Sequence, residues 1–363
     1  MQNTKAYPAP AHMSWVYFAQ TSNNEPQNSI CLKIESLFKN AGFGNLIKKG
    51  DFVALKMHLG EEKKKGFISP VFVKPVVDMV KKAGARPFVT DTNTLYESPR
   101  ENAVSHLILA AKHGFSYEQL GCPVIIADGL VGENQISVPV ANGYVHLAGL
   151  VKRVDVIIAL SHCTGHLLTG YGGAIKNIGM GFASRGGKLD QHSGVKPEII
   201  TENCIACATC VTYCPAEAIE ITDKKAHINK KDCYGCGECF AVCPNQAVKV
   251  DKWQATSDNM QKKMALYCSE ILKDKRAGFI NFATNITKNC DCLDTPEKPL
   301  ISDVGILTSF DPVAIDSASI DLINQKSGKD IFKQSWPEID YTIQLKEAER
   351  LGVGIRGYKI TTQ

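Results

Sequence analysis

No stretch of this sequence approaches the roughly 18 consecutive apolar residues of a membrane span. VDVIIAL, from Val154 to Leu160, is among its longest apolar runs, so no membrane association is expected. The first twenty residues, MQNTKAYPAPAHMSWVYFAQ, hold no continuous apolar stretch, which argues against a secretory signal. Charge of one sign is hardly in excess: 41 Lys and Arg against 37 Asp and Glu leave +4, too little to imply nucleic acid. Disulfides are not needed either, because a chain of 363 residues can bury an ample core. Against these scarcities stand 14 cysteines. They are expected to be reduced, in the cytoplasm, and held for metal or redox chemistry.

Eight of the 14 lie within forty residues. Cys204, Cys207, Cys210 and Cys214 precede Pro215; Cys233, Cys236, Cys239 and Cys243 precede Pro244. Each set reads C-x2-C-x2-C-x3-C-P, and the second repeats the first 29 residues later, an internal duplication. A cubane of four irons and four sulfides needs four thiolates in tetrahedral array, of which one tight loop can supply three. Zinc ribbons use C-x2-C pairs separated by longer gaps, so the spacing points to two [4Fe–4S] clusters. The segment resembles the two-cluster bacterial ferredoxins, and that resemblance implies that the last cysteine of each run crosses over. Cluster one would be held by Cys204, Cys207, Cys210 and Cys243, and cluster two by Cys233, Cys236, Cys239 and Cys214. Small residues between the ligands (Ala206, Ala208, Gly235, Gly237) let backbone amides approach the sulfides. Short extended pieces flank helical turns at Pro215–Ala218 and Pro244–Ala247, giving an α+β dicluster ferredoxin-like module over residues 195–252.

Around the module the chain alternates strand and helix. Asp51–Met57, Ala85–Asp91, Gly121–Ala127 and Val154–Leu160 read as strands, the last without polar alternation and so buried on both faces. Ser69 and Pro70 open a helix that Gly84 closes, with Pro75 awkward inside it. Downstream come a helix capped by Ser257, an extended piece at 277–284, GILTS, and a helix opened by Asp311–Pro312. This grammar predicts an α/β fold, a mostly parallel sheet with helices on both faces. The economical division is one α/β domain, residues 1–194 and 253–363, interrupted by the module, with residues 1–13 loosely held. Cys31, Cys122 and Cys268 are expected in its core.

Open α/β sheets bind ligands beyond the carboxyl ends of their strands. The residues that follow the strands here are Lys56 and His58; Asp91, Thr92 and Asn93; then SHCTGHLLTGYGGAIKNIGMG with His162, Cys163, His166, Lys176 and Asn177; and finally Cys290 and Cys292. The glycine stretch matches neither the dinucleotide nor the Walker fingerprint. It is either backbone that approaches an anion or a tightly packed loop. His58, His162, His166 and Lys176 are the candidate catalytic residues. Cys290 and Cys292, two thiols one residue apart, cannot easily form a disulfide with each other, and in an extended segment they face opposite sides; in a loop both could point at a third metal or cluster, shared with Cys163 and the histidines. His192 could lie near cluster one or mark a hinge.

SHCTGHLLTGYGGAIKNIGMGFASRGGK, the dicluster run, NCDC at 289–292 and DVGILTSFDPVAID at 303–316 together resemble domain of unknown function 362, a family of uncharacterised iron–sulfur centre proteins. The resemblance runs from about Trp15 to Tyr358 and departs at Cys163, where the family carries an aromatic residue. More distantly the chain resembles the lactate racemase-type nickel-enzyme fold, which would put a crevice between two α/β lobes. The function expected is an anaerobic iron–sulfur oxidoreductase. An external ferredoxin-like partner exchanges electrons through the two clusters with the His/Lys/Cys site, where Lys56 and Lys176 neutralise a small anionic substrate. The alternatives are a non-enzymatic electron carrier or cluster- or metal-delivery protein, and structural clusters in a binding protein.

Overall fold

The computed structural model describes residues 13–63, 66–96, 98–192, 196–214, 216–233, 238–249 and 256–363. The expectations placed on residues 1–12, Pro215, Gly235, Cys236 and Gly237 lie outside the described residues.

The first part of the chain runs β1 (Ser14–Gln20), α1 (Gln27–Asn40), β2 (Phe52–Lys56), α2 (Pro70–Lys82), β3 (Arg86–Asp91), α3 (Ala103–Lys112), α4 (Tyr117–Leu120) and β4 (Val124–Ile126). A hairpin, β5 (Gln135–Val140) and β6 (Gly143–Ala148), leads to β7 (Val156–His162). Next come the ribbon β8 (Thr164–His166) and β9 (Gly170–Gly172), then α5 (Ala174–Gly179) and α6 (Arg185–His192). The cysteine segment holds β10 (Glu198–Ile199), α7 (Thr209–Thr212), β11 (Ile219–Thr222), β12 (Lys225–Ile228), α8 (Glu238–Ala241) and β13 (Val248–Lys249). The chain closes with α9 (Ser257–Leu272), β14 (Arg276–Ala283), β15 (Gly305–Ser309), α10 (Pro312–Ser327), α11 (Ile331–Ser335), α12 (Thr342–Arg350) and β16 (Tyr358–Thr362).

Eight strands form one sheet in the order β16-β1-β15-β14-β7-β2-β3-β4. Only β15 runs antiparallel to its neighbours, β1 and β14, so the sheet is mostly parallel. It takes strands from both sides of the cysteine segment, and it is a single sheet rather than the two lobes that the distant resemblance implied. The apolar run of β7 divides by alternation. Ile157 and Ala159 enter the core under α5, α9 and α10, while Val156, Ile158 and Leu160 enter the core under α1 and α2. Helices therefore cover both faces. Among the described residues no helix is long and apolar enough to cross a membrane.

Local details refine the expectations. Pro75 stays inside α2, and the carbonyl of Val71, which it leaves without an amide, accepts from the Cys31 thiol at 3.5 Å. Cys31 is thus half-buried at a helix surface rather than in the core, whereas Cys122 and Cys268 are buried. Thr256, not Ser257, caps α9, accepting from the Asn259 amide. In the cysteine segment the helical turns α7 and α8 each contain the third cysteine of a run, Cys210 and Cys239, and lie before the prolines rather than after them.

Chain direction fixes where a crevice opens. From β2 the sheet grows outward to β3 and β4; from β7 it grows the other way to β14. The order reverses between β2 and β7, the position where open sheets leave room for a ligand.

Candidate functional site

Two constellations are present, and they are built differently. In the cysteine segment β10 pairs with β13 and β11 with β12. The 29-residue offset relates Ile199 to Ile228 and Ile219 to Val248, so each small sheet joins one strand from each repeat. That exchange carries the last cysteine of one run to the first three of the other. Cys204, Cys207, Cys210 and Cys243 line one small cavity of about 20 Å³. Ala206 and Ala208 take left-handed φ values of 55° and 60°, wrapping the loop around it. Such conformations cost non-glycine residues roughly 1 kcal/mol or more and persist only where the surroundings impose them. Backbone amides donate to sulfur in a repeated pattern: Ala218 to Cys214 at 3.3 Å and Ala247 to Cys243 at 3.2 Å. Ala226 donates to Cys204 at 3.4 Å. Of the other set, Cys214, Cys233 and Cys239 are described and Cys236 is not. Among the described residues, no three of these thiols come within 4.8 Å of one another.

The second constellation is a cavity of about 650 Å³ at the carboxyl ends of β2 and β7. Asn177 of α5 stitches these diverging strands: its Nδ2 donates to Lys56 O and to Leu160 O, both at 3.0 Å. Its Oδ1 accepts from Lys56 Nζ at 3.0 Å. Asp316 of α10 anchors the start of α5, accepting from the Ala174 and Ile175 amides at 2.7 and 3.0 Å. A side chain on Gly173 would collide with this carboxylate, and one on Gly181 with Lys56 Nζ. The glycine stretch is closely packed, and Gly172, Gly173 and Gly181 also line the cavity. The stretch packs on the α/β core rather than on the cysteine segment.

Buried charges line one wall. Lys56 pairs with Asp91 at 3.0 Å, Arg100 reaches Asp91 at 3.4 Å, and Arg100 Nε donates to Glu61 at 2.8 Å. Burial would raise Asp91, but the positive charges of Lys56 and Arg100 beside it outweigh burial and hold the carboxyl well below the usual range. Burial pulls Lys56 down, partly offset by Asp91. Lys56 is therefore engaged by the protein itself. Burial lowers Lys176 to about 8 against the opposing charge of Asp291. Lys188 is likewise lowered to about 8.

The three candidate histidines meet in this cavity with separate states. His166 Nδ1 faces the amides of Leu168 and Thr169 at 3.2 and 3.0 Å, so its lone pair is used and the proton sits on Nε2. His58 Nδ1 accepts from the Gly60 amide at 3.0 Å, which puts the proton on Nε2, a buried atom with no hydrogen-bond partner among the described residues. Desolvation holds both rings well below the usual histidine range and so neutral. His162 differs: Nδ1 meets Asp291 Oδ2 and Nε2 meets Thr284 O, both at 2.8 Å. Two acceptors at one ring favour the doubly protonated form. This histidine ties β7 to the loop that carries the cysteine pair.

Cys290 and Cys292 are joined by a disulfide, which corrects the expectation that they could not easily pair. The extended-chain argument fails because the chain turns here: the Leu293 amide donates to Cys290 O, and the two Cα atoms come to 5.3 Å. Lys176 Nζ lies 3.7 Å from Cys290 Sγ. His166 offers a ring nitrogen within 4.8 Å of both sulfurs. Cys163 does not line the cavity; it is buried in the core, accepts from Tyr171 OH at 3.3 Å, and burial pushes its thiol to about 12.

All of His58, His162, His166, Lys176, Cys290 and Cys292 thus line the same cavity. Sequence reasoning missed Arg100, Lys188 and Tyr96, single residues in no motif, which enter through chain folding alone. His192 also lines this cavity, from the end of α6, lowered to about 4 by burial and by the charges of Lys176 and Lys188.

No curated protein matches the sequence. Among solved structures, the crystal structure of a Thermotoga maritima protein aligns over 91% of this chain and 60% of its own, with 10% identity and a TM-score of 0.40. The lactate racemase apoprotein from Thermoanaerobacterium thermosaccharolyticum aligns over 76% of this chain and 52% of its own, with 12% identity and a TM-score of 0.40. The chain thus spans little more than half the length of either protein. Residues 53–321 match the family described as domain of unknown function (DUF362), and the chain belongs to that family.

Proposed function

We propose that the chain is an iron–sulfur oxidoreductase of anaerobic metabolism that acts on a small organic anion. The observation that carries this reading is the cavity ringed by Cys204, Cys207, Cys210 and Cys243, three thiols from one repeat and the fourth from the other. A single zinc ion, about 2.3 Å from each sulfur, would hold the thiols about 3.8 Å apart. No three of the described thiols lie within 4.8 Å of one another, which favours a larger four-iron cluster, and the amides that donate to the sulfurs are of the kind that tune such a cluster's potential. Cys214, Cys233 and Cys239, with Cys236, would hold a second cluster. When bound, the clusters supply single-electron transfer.

The chain's own residues account for the rest. Ile205 and Ile221 are exposed at the cluster cavity's rim, an apolar surface suited to an external ferredoxin-like partner. Helix α8 packs against α6, and α6 delivers Lys188 and His192 to the ligand cavity. There Lys176 supplies the positive charge, and the Nε2–H groups of His58 and His166, both lining the cavity, would serve as donors to an oxyanion. Ile68, Leu95, Leu167 and Met180 line the walls and suit an apolar body. His162 is a positioning residue.

Iron and acid-labile sulfide analysis of protein purified without oxygen tests this reading. About eight of each per chain are expected from two four-iron clusters, with a paramagnetic signal on reduction. Stoichiometric zinc without sulfide would refute it.

A further inference from the structure

We infer that Cys290 and Cys292 form a reversible dithiol–disulfide couple on the cavity wall, storing two electrons beside Lys176. Four observations converge. The sulfurs are already joined, and the turn closed by Leu293 brings both side chains to one side. The turn is held at three points: Asp291 by His162 at 2.8 Å, the Asn289 amide by Glu297 at 3.0 Å, and Cys292 O by the Tyr96 hydroxyl at 2.8 Å. The sulfurs therefore stay within reach of each other in either state. Lys176 Nζ faces Cys290 Sγ at 3.7 Å, so a thiolate formed there meets a cation. The neighbouring His166 has its Nδ1 lone pair on two backbone amides. Its Nε2 then bears the proton, which leaves a neutral ring beside the sulfur pair.

The chemistry has a direction. Cys290 is buried and Cys292 is partly exposed, so an incoming thiolate reaches Cys292 Sγ. The new S–S bond forms there, the Cys290–Cys292 bond breaks, and Cys290 leaves as the thiolate beside Lys176. The second thiol of a dithiol reductant then displaces Cys292. In sum the disulfide takes two electrons and one proton to become one thiolate and one thiol, and the reductant becomes a disulfide. Within the protein the same two electrons would arrive singly, so the couple rests on the proposed clusters for its electron source. It would accumulate the pair that a two-electron substrate requires.

The test uses the full chain, purified without oxygen and equilibrated with graded ratios of reduced to oxidised dithiothreitol. Acid quenching and N-ethylmaleimide then label free thiols, and mass spectrometry reads the peptide that spans residues 289–292. The expected result is a peptide carrying no label or two, interconverting reversibly, with little singly labelled form. Lys176→Met should slow the appearance of label at pH 7 by roughly tenfold, because the leaving thiol loses its cation, and Lys176→Arg should restore part of the rate. Cys292→Ser should leave Cys290 labelled at every ratio, which keeps the test interpretable if Lys176→Met folds poorly. Independent labelling of the two thiols at all ratios would overturn the couple. So would their protection by a stoichiometric non-iron metal that a chelator removes, since that outcome makes them ligands. Iron and sulfide are measured on the same sample. A working couple in iron-free protein would discard the clusters and keep this inference.

Discussion

The cysteine segment and the crevice of the sheet both gather reactive side chains, but by opposite means. In the segment four thiols come from two short runs, the local core includes Cys210 and Cys239 themselves, and Cys207 is exposed. In the crevice the residues come from loops up to more than two hundred positions apart, such as His58 and Cys292, and the surroundings are buried charge and apolar wall. The segment lacks apolar bulk and would depend on what its thiols hold. The crevice rests on two large cores and holds its polar groups before any ligand arrives. The contrast teaches that one site is specified by spacing and the other by topology.

The largest effect is expected from Cys243→Ser. About half of the iron should be lost, and hydrogen exchange should rise over 196–249 while β7 and β14 keep their protection. A parallel loss of protection in the sheet would break the contrast. Arg100→Leu comes next. It leaves Glu61 buried beside the loss of its cation, and about 3–5 kcal/mol of stability should go in urea unfolding; Arg100→Leu with Glu61→Leu should recover much of it. Asn177→Ala, which frees Lys56 O and Leu160 O, should cost about 1–3 kcal/mol by the same measurement.

Two smaller effects sharpen the picture. Lys176, lowered to about 8, loses its charge as the pH rises through that value. Competitive trace acetylation across pH should give it a midpoint near 8, while exposed lysines titrate near about 10.4. A midpoint as high as theirs would remove the buried electrostatic character claimed for the crevice. Cys31→Ala should change stability by no more than about 0.5 kcal/mol, since a half-exposed thiol on a surface carbonyl is near neutral.

How much of this was legible follows from sequence separation. The strands at 52–56, 86–91, 156–162 and 276–283 were readable because unbroken apolar runs bounded by glycine or a helix cap have few other uses. β1 and β16 were not, because SWVYFAQ and YKITT at the chain's two ends become strands by pairing with each other, in parallel and hundreds of residues apart. His58, His162, His166 and Lys176 could be suspected from their places after strands. Their protonation states could not, because a tautomer is set by which amide or carboxylate folds against the ring. The pairing of Cys290 with Cys292 was hidden for a like reason: spacing of one residue argues against a bond, and an amide–carbonyl contact that turns the chain permits it.

By itself the sequence determined the duplicated cysteine spacing, the α/β grammar and the candidate polar residues. Each of these is encoded within a few neighbouring positions, where covalent geometry and periodicity govern. Tertiary structure alone decided which lysine is tied to a buried carboxylate and which histidine nitrogens carry protons. It also decided that two cysteines expected to act as ligands are joined to each other. These are properties of burial and of partners distant in the chain, and free energies of desolvation and pairing exist only once the chain has closed around them.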